Sequence, residues 1–286
     1  MNRELMALLR CFGQLLFMPH AGVGVLVLLG ILINSPLMMF AALTGGLGGT
    51  LMGGRVMAAP SFNQGLAGVN GVLLGLAAAL FMQPTALIWL LVFLGGGATA
   101  WCFNWGMRRN LQLLTAPYIC LMLLIWWLLP ILPQPDGGLQ LHWREVQVLS
   151  GTLTGIGQMG FQGNLLSGLL MLAGLLLGGG LRAVGWGLTG SLSGALAGYL
   201  AGADQQALAI GIGSYNSALI AIALAIVSGH SLRRWQPWLG ISAAIVLTQV
   251  GLQLALFPLL TIPFVLAMWL VIGVERFGVR AKYQSP

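Results

Sequence analysis

The chain has 286 residues, of which 58% are hydrophobic and only 6% charged, with a mean hydropathy of +0.93. So few charges cannot cover a water-soluble domain, and the composition predicts a polytopic membrane protein. Twelve basic residues against five acidic ones raise the pI to about 10.2, but they stand singly or in pairs, which argues against a nucleic-acid surface.

The first element is an amphipathic segment, 3–17, that carries Arg, Glu and Gln. Arg10 and Gln14 interrupt its apolar run and no small-residue cleavage site follows, so it does not read as a signal peptide. It is expected to enter the membrane partway and stop. Apolar runs of spanning length follow at 20–36, 38–54, 66–82, 86–106 and 112–131. The stretch Pro133-Gln-Pro-Asp-Gly-Gly138 has linker composition and separates a first unit, 1–135, from a second, 136–286. A second amphipathic segment, 143–161, then leads into runs at 164–180, 183–201, 211–228, 236–252 and 255–274. Cys11, Cys102 and Cys120 are scattered, without disulfide or metal spacing, and read as small apolar residues in helices. The 43 glycines point to close helix packing in lipid.

The two units repeat one another. Gln14-Leu-Leu-Phe17 matches Gln158-Met-Gly-Phe161 at an offset of 144 residues. Gly65…Asn70 matches Gly211…Asn216, and Leu114-Thr115-Ala-Pro117 matches Leu260-Thr261-Ile-Pro263, both at 146. Three landmarks in one order predict two homologous halves of five spans, each with a re-entrant helix. Five is odd, so the second half is expected to lie inverted in the membrane. Charge supports this: Arg3, Arg10, Arg55, Arg108, Arg109, Arg182, Arg233, Arg234, Arg276, Arg280 and Lys282 fall on one side, and only Arg144 on the other. By the positive-inside rule that side is cytoplasmic and holds both termini, in a cell (inner) membrane. Inverted repeats place a transport path along their pseudo-twofold axis.

No predicted span holds an Asp, Glu, Lys or Arg at mid-membrane depth. Ion- and proton-coupled carriers use such groups, so the interior favours passive passage of a small neutral polar solute. The polar residues left inside come in pairs: Gln14 with Gln158, Thr115 with Thr261, Asn70 with Asn216. A dehydrated solute needs replacement hydrogen bonds, since an unmade one costs ~1–3 kcal/mol. Pro117 and Pro263, two residues after each Thr, free backbone carbonyls nearby. A lone membrane Thr bonds back to its own helix, and a lone Gln or Asn glues helices. The pairing favours pore lining for the Gln and Thr residues. For the Asn pair two readings stay open: the pore, or a pin between each helix and the loop before it.

Taken together, Gln-x-x-Phe, an apolar helix with Ser-Gly (QMGFQGNLLSGLL), Gly-x-x-x-x-Asn-x-x-Leu and Leu-Thr-x-Pro resemble the urea transporter family, which includes bacterial urea channels. The resemblance covers essentially the whole chain. It implies ten spans plus two re-entrant helices, a homotrimer with one pore per protomer, and no cofactor. It also implies a flattened slot, in which apolar and aromatic faces sandwich urea and oxygen ladders take its N–H groups. On that pattern Gln14 and Gln158 mark the outer sites. Phe17 and Phe161 are slot walls faced by Leu73 and Leu219, and Thr115 and Thr261 mark the narrow middle. Two departures stand out. Where the family shows Asn-Asn-Pro, this chain has Met18-Pro19-His20 and Gln162-Gly163-Asn164, which leaves His20 in an Asn-like place, open to a pH-sensing role or a local hydrogen bond. The usual aromatic before the third-span Asn is Val69 in one half and Tyr215 in the other.

Other neutral solutes, namely short amides, ammonia or water, are the competing cargo. Asn34-Ser35-Pro36 resembles half of an aquaporin signature but has no copy, and His20, His142 and His230 are too dispersed for an ammonium-type pair. No nucleophile, acid–base pair or metal cluster falls at membrane depth, so the chain does not read as an enzyme. An assembly subunit needs no repeated polar pairs.

Overall fold

The computed structural model describes residues 3–129, 147–227 and 235–284, with side chains to residue 276. The expected linker at 133–138 and the residues Arg144, His142, His230, Arg233 and Arg234 lie outside these ranges.

Helix α1 (Arg3–Gly13) carries Glu4 in its first turn and Arg10 in its last, both suited to the helix dipole. It tightens into a 3₁₀ turn over Gln14–Leu16 and stops at Phe17, whose φ of 60° cannot continue a right-handed helix. The chain then bends by 72° into α2 (Ala21–Asn34). Helix α3 (Pro36–Val56) starts where Ser35 Oγ accepts the Met38 N–H at 3.3 Å and Pro36 takes the first turn. The Asn-Ser-Pro stretch therefore has a local role as a helix start. A short helix, α4 (Ala59–Asn63), precedes α5 (Val69–Phe81); α6 (Ala86–Arg108) and α7 (Ala116–Leu128) complete the first half.

The second half follows the same order. Helix α8 (Gln147–Gly157) runs into a 3₁₀ turn at Gln158–Gly160, and Phe161 ends it with φ 61°. The runs expected at 164–180 and 183–201 form one element, α9 (Leu165–Leu200), broken only at Gly180 (φ 66°, ψ −169°). Next come α10 (Gln205–Ala209), α11 (Tyr215–Ile222) loosening into a π turn at Ala223–Val227, α12 (Gln236–Leu254) and α13 (Ile262–Gln284).

Helices α3, α6, α9 and α12 are each long and apolar enough to cross a membrane, and the bent pair α1–α2 makes a fifth candidate. Helices α5 and α7 and the Tyr215–Ile226 stretch are apolar but shorter. Several starts differ from the hydropathy reading. The runs at 112–131 and 255–274 become helical only at Ala116 and Ile262, because Leu114 and Leu260 take φ of 52° and 47° and Pro117 and Pro263 fit the first turn. The third runs start at Val69 and Tyr215, after turns at Gly65 (φ 80°) and Gly211 (φ 77°). These left-handed residues are separated by the offset of 146 seen in the sequence.

Packing depends on small residues. A methyl added at Gly45 of α3 would sit 2.0 Å from Gly71 O of α5, and one at Gly96 of α6 would sit 2.1 Å from Gly45 O. Three backbones thus meet with no side chain between them, the contact that lipid-embedded helices favour. The core gathers around the bent segments: Phe12, Leu16, Tyr118 and Phe264 are fully buried, while Trp127, Leu181 and Leu200 are more than three-quarters exposed on the periphery. Such an apolar exterior suits lipid rather than water.

Candidate functional site

The two bent segments are held by carbonyls they reach across the fold. Short helices α4 and α10 end with carbonyls that lack an intrahelical donor. Gln14 Nε2 donates to Gln64 O at 2.8 Å, and Gln158 Nε2 donates to Ile210 O at 2.9 Å; each acceptor is the C-cap residue of its short helix. One residue earlier, Arg10 Nη1 donates to Asn63 O at 2.8 Å and Thr154 Oγ1 to Ala209 O at 2.8 Å. The repeat therefore preserves the accepting carbonyls even where the donor changes from Arg to Thr. Each Gln uses an amide N–H to hold its loop, and its Oε1 remains an acceptor for another group.

Asn70 and Asn216 are the second residues of α5 and α11 and are buried. Asn70 Nδ2 donates to Leu114 O at 3.2 Å, and its Oδ1 accepts the Tyr118 N–H at 3.3 Å. Asn216 does the same with Leu260 O at 3.4 Å and the Phe264 N–H at 3.2 Å. Each amide thus caps the third residue of α7 or α13 from a distant helix, satisfying an orphan donor of the first turn. The pin expected toward the preceding loop runs instead to the start of α7 or α13.

That pin fixes Leu114-Thr115 and Leu260-Thr261. Thr115 occupies the N-cap of α7 but makes no cap bond. Thr44, Thr50, Thr99 and Thr152 bond back to their own helices. Thr115 and Thr261 instead share a 2.8 Å hydrogen bond between their hydroxyls, joining the two halves. Tyr118 OH lies 2.8 Å from Thr261 Oγ1 and accepts the Thr261 N–H at 3.2 Å.

A cavity of about 340 Å³ is lined in part by Thr115 and Thr261. Gln14, Phe17, Leu73, Thr115, Leu219 and Thr261 all line it, as does Val69. Gln158, Phe161, Asn70, Tyr215 and Asn216 do not. Gln158 holds Ile210 O, and Phe161 packs half-buried against the core. Tyr215 OH donates to Leu260 O. The residue-by-residue reading missed Phe264, whose ring lies 5.7 Å from that of Phe17 at 51°, and Phe103, Met159 and Tyr118. The repeat held the signal for the first and last, since Phe264 and Tyr118 occupy equivalent positions one residue after the paired prolines.

The described lining of the cavity is neutral. Aromatic and Leu side chains supply its walls, and Gln and Thr side chains supply hydrogen bonds. No ionisable side chain lines it among the described residues. Among the described residues, no three His, Cys, Asp or Glu gather as a metal site. His20 is exposed and precedes α2 without a side-chain cap bond, whereas Asn164 at the matching position caps α9 through the Ser167 N–H at 2.9 Å and donates to Asn34 Oδ1 at 2.6 Å. The local hydrogen bond expected of His20 is not made to its helix.

The family model described as urea transporter matches residues 5–276 of the chain. No curated protein matches it.

Proposed function

The chain belongs to the urea transporter family, and on that premise we propose that urea crosses it passively, as in a channel, through a slot between two inverted repeats. Family membership makes it a multi-pass membrane transport protein for urea, not an enzyme. In the proposal, residues 1–135 and 136–286 each supply five spans and a re-entrant helix, with both termini cytoplasmic and the protein in the cell inner membrane. Three protomers assemble, each with its own pore. Gln14 and Gln158 accept N–H groups at the outer sites. Phe17 and Phe161 with Leu73 and Leu219 flank the planar solute, and Thr115 and Thr261 form the constriction. Val69 and Tyr215 make the two sides of the slot unequal.

The observation that supports this reading best is the 2.8 Å hydroxyl pair, Thr115–Thr261, contributed by both halves to the lining of a cavity whose described walls are apolar and uncharged. A solute that can both donate and accept can replace that bond, whereas a bare ion would lose its hydration to an interior with no countercharge. The test is stopped-flow urea flux into proteoliposomes. The expected flux is fast, saturates only at high urea, and ignores Na⁺ and membrane potential. Flux that vanishes without a cation gradient would overturn the channel reading, and equal rates for urea, acetamide and water would overturn its selectivity.

A further inference from the structure

Helices α3 and α6 pack backbone to backbone and end together. A methyl at Gly48 would sit 2.0 Å from Phe93 O, and one at Gly97 would lie 3.6 Å from Gly48 O. Three exposed arginines stand at the common end: Arg55 in the last turn of α3, Arg108 as the last residue of α6, and Arg109 as its C-cap. Arg108 Nη2 donates to Val56 O at 3.1 Å, which ties the end of α6 to the last residue of α3. Arg55 Nη1 donates to Leu51 O at 3.3 Å, and the Arg109 guanidinium lies over the Trp105 ring, 4.2 Å from its centroid. Among the described residues the partners of these side chains are thus two backbone carbonyls and an indole, none of them an anion.

Like charges gathered in this way repel one another, and each guanidinium keeps donors to spare. Of its five N–H groups, Arg55 and Arg108 each commit one to a carbonyl. Arg109 gives its flat face to Trp105, which leaves the N–H groups around its edge free to bond. An edge of N–H donors matches the oxygens of a phosphate. An apolar face adjoins the charge. Leu90, Leu94, Trp101 and Trp105 of α6 are all exposed, and their spacing puts them on one side of the helix, the side that Arg108 continues. From Leu94 to Trp105 the helix rises roughly 16 Å, about half of a ~30 Å hydrocarbon core. The repeat supplies the contrast. Helix α12 ends in Leu254 with Ala255 as its C-cap, where α6 has Arg108 and Arg109, and α9 holds no basic residue after Arg182. The helix framework is therefore built without these charges in the second half.

We infer that Arg55, Arg108 and Arg109 bind the phosphate of an acidic phospholipid whose acyl chain lies along the exposed face of α6. The phosphate supplies the missing countercharge, and Trp105 and Trp101 sit where the headgroup meets the chain, the level that Trp favours in a bilayer. A zwitterionic lipid fits less well, because its headgroup brings a cation of its own to a cluster that already lacks an anion. The inference requires a membrane around the chain and nothing of the solute that crosses it.

The test is native mass spectrometry of the full chain in detergent, titrated with phosphatidylglycerol or with phosphatidylcholine of the same acyl chains. The wild type is expected to hold phosphatidylglycerol the more tightly. Arg108→Gln and Arg109→Gln should each weaken its binding roughly 3- to 10-fold, the loss of one basic contact to an anionic headgroup, and leave phosphatidylcholine unmoved. Arg182→Gln removes the same charge from another exposed position and should change neither. If Arg108→Gln does not fold for want of its bond to Val56 O, Arg109→Gln carries the comparison, since its side chain holds no carbonyl. Equal retention of the two lipids by the wild type overturns the inference, as does a loss in Arg182→Gln as large as that in Arg109→Gln, which would mark a response to net charge alone. Displacement of bound phosphatidylglycerol by an equimolar amount of inorganic phosphate would reduce the cluster to an anion site and overturn the lipid assignment.

Discussion

Thr115→Val replaces a hydroxyl by a methyl of nearly the same shape, so it tests the constriction with little change in packing. In the native protein the hydroxyl lies 2.8 Å from Thr261 Oγ1 and lines the cavity. Thr261 keeps its Tyr118 contact at 2.8 Å in the variant, so the fold loses one neutral hydrogen bond, worth about 0.5–1.5 kcal/mol. The passing solute loses more. With the hydroxyl gone, a dehydrated polar group at the proposed constriction loses one of the two threonine partners, and an unmade hydrogen bond there costs ~1–3 kcal/mol. If that cost falls on the rate-limiting position, flux drops roughly 5- to 150-fold, at about 1.4 kcal/mol per factor of ten. The assay is urea flux into proteoliposomes at matched protein density, with thermal unfolding in detergent as a folding control. Thr261→Val should slow flux as well and should destabilise more, because it strips a partner from both Thr115 and Tyr118. Native-like flux in both variants, with both folded, would remove these hydroxyls from the path and refute the reasoning.

Asn70→Ala removes the bonds to Leu114 O and to the Tyr118 N–H of α7 and strands that N–H, so it should cost about 2–3 kcal/mol, seen as a lower unfolding temperature, with Asn216→Ala close behind; a neutral result in either would mean the cap is dispensable. Gly45→Ala forces a methyl to within 2.0 Å of a backbone carbonyl and should destabilise by ~1–3 kcal/mol or more, reading out as loss of folded protein on size exclusion. Asn164→Ala loses both the α9 cap and the 2.6 Å contact to Asn34, with an expected cost of ~1–2 kcal/mol in thermal unfolding; Asn164→Asp should recover the cap alone. Phe17→Ala should widen the slot beside Phe264, so that N,N′-dimethylurea gains on urea in paired flux measurements; an unchanged ratio would place the ring outside the selective region.

Some of this protein was already determined in one dimension. Membrane residence follows from composition, because a chain with 6% charged residues has no way to cover itself for water. The repeat and its paired Gln, Asn, Thr and Phe residues are a matter of order and offset, and the backbone keeps them: Phe17 with Phe161 and Leu114 with Leu260 share left-handed conformations. Helix starts were less legible. Hydropathy cannot see that Leu114 and Leu260 leave the helical region, because their side chains are as apolar as any in the spans.

What only the tertiary structure decided are the partners. Asn70 meets Leu114 and Tyr118, 44 and 48 positions away, and Thr115 meets Thr261 at a separation of 146. Nothing in the local sequence of either Thr says whether its hydroxyl turns back on its own helix, as Thr50 does, or across to another. That choice is made by where packing leaves an acceptor within about 3 Å, and packing is a property of the whole fold. The same holds for the two tyrosines. Their positions in the repeat were visible as mismatches, Tyr215 against Val69 and Tyr118 against Phe264. That both hydroxyls converge on Leu260 and Thr261 appears only when helices distant in sequence are brought side by side.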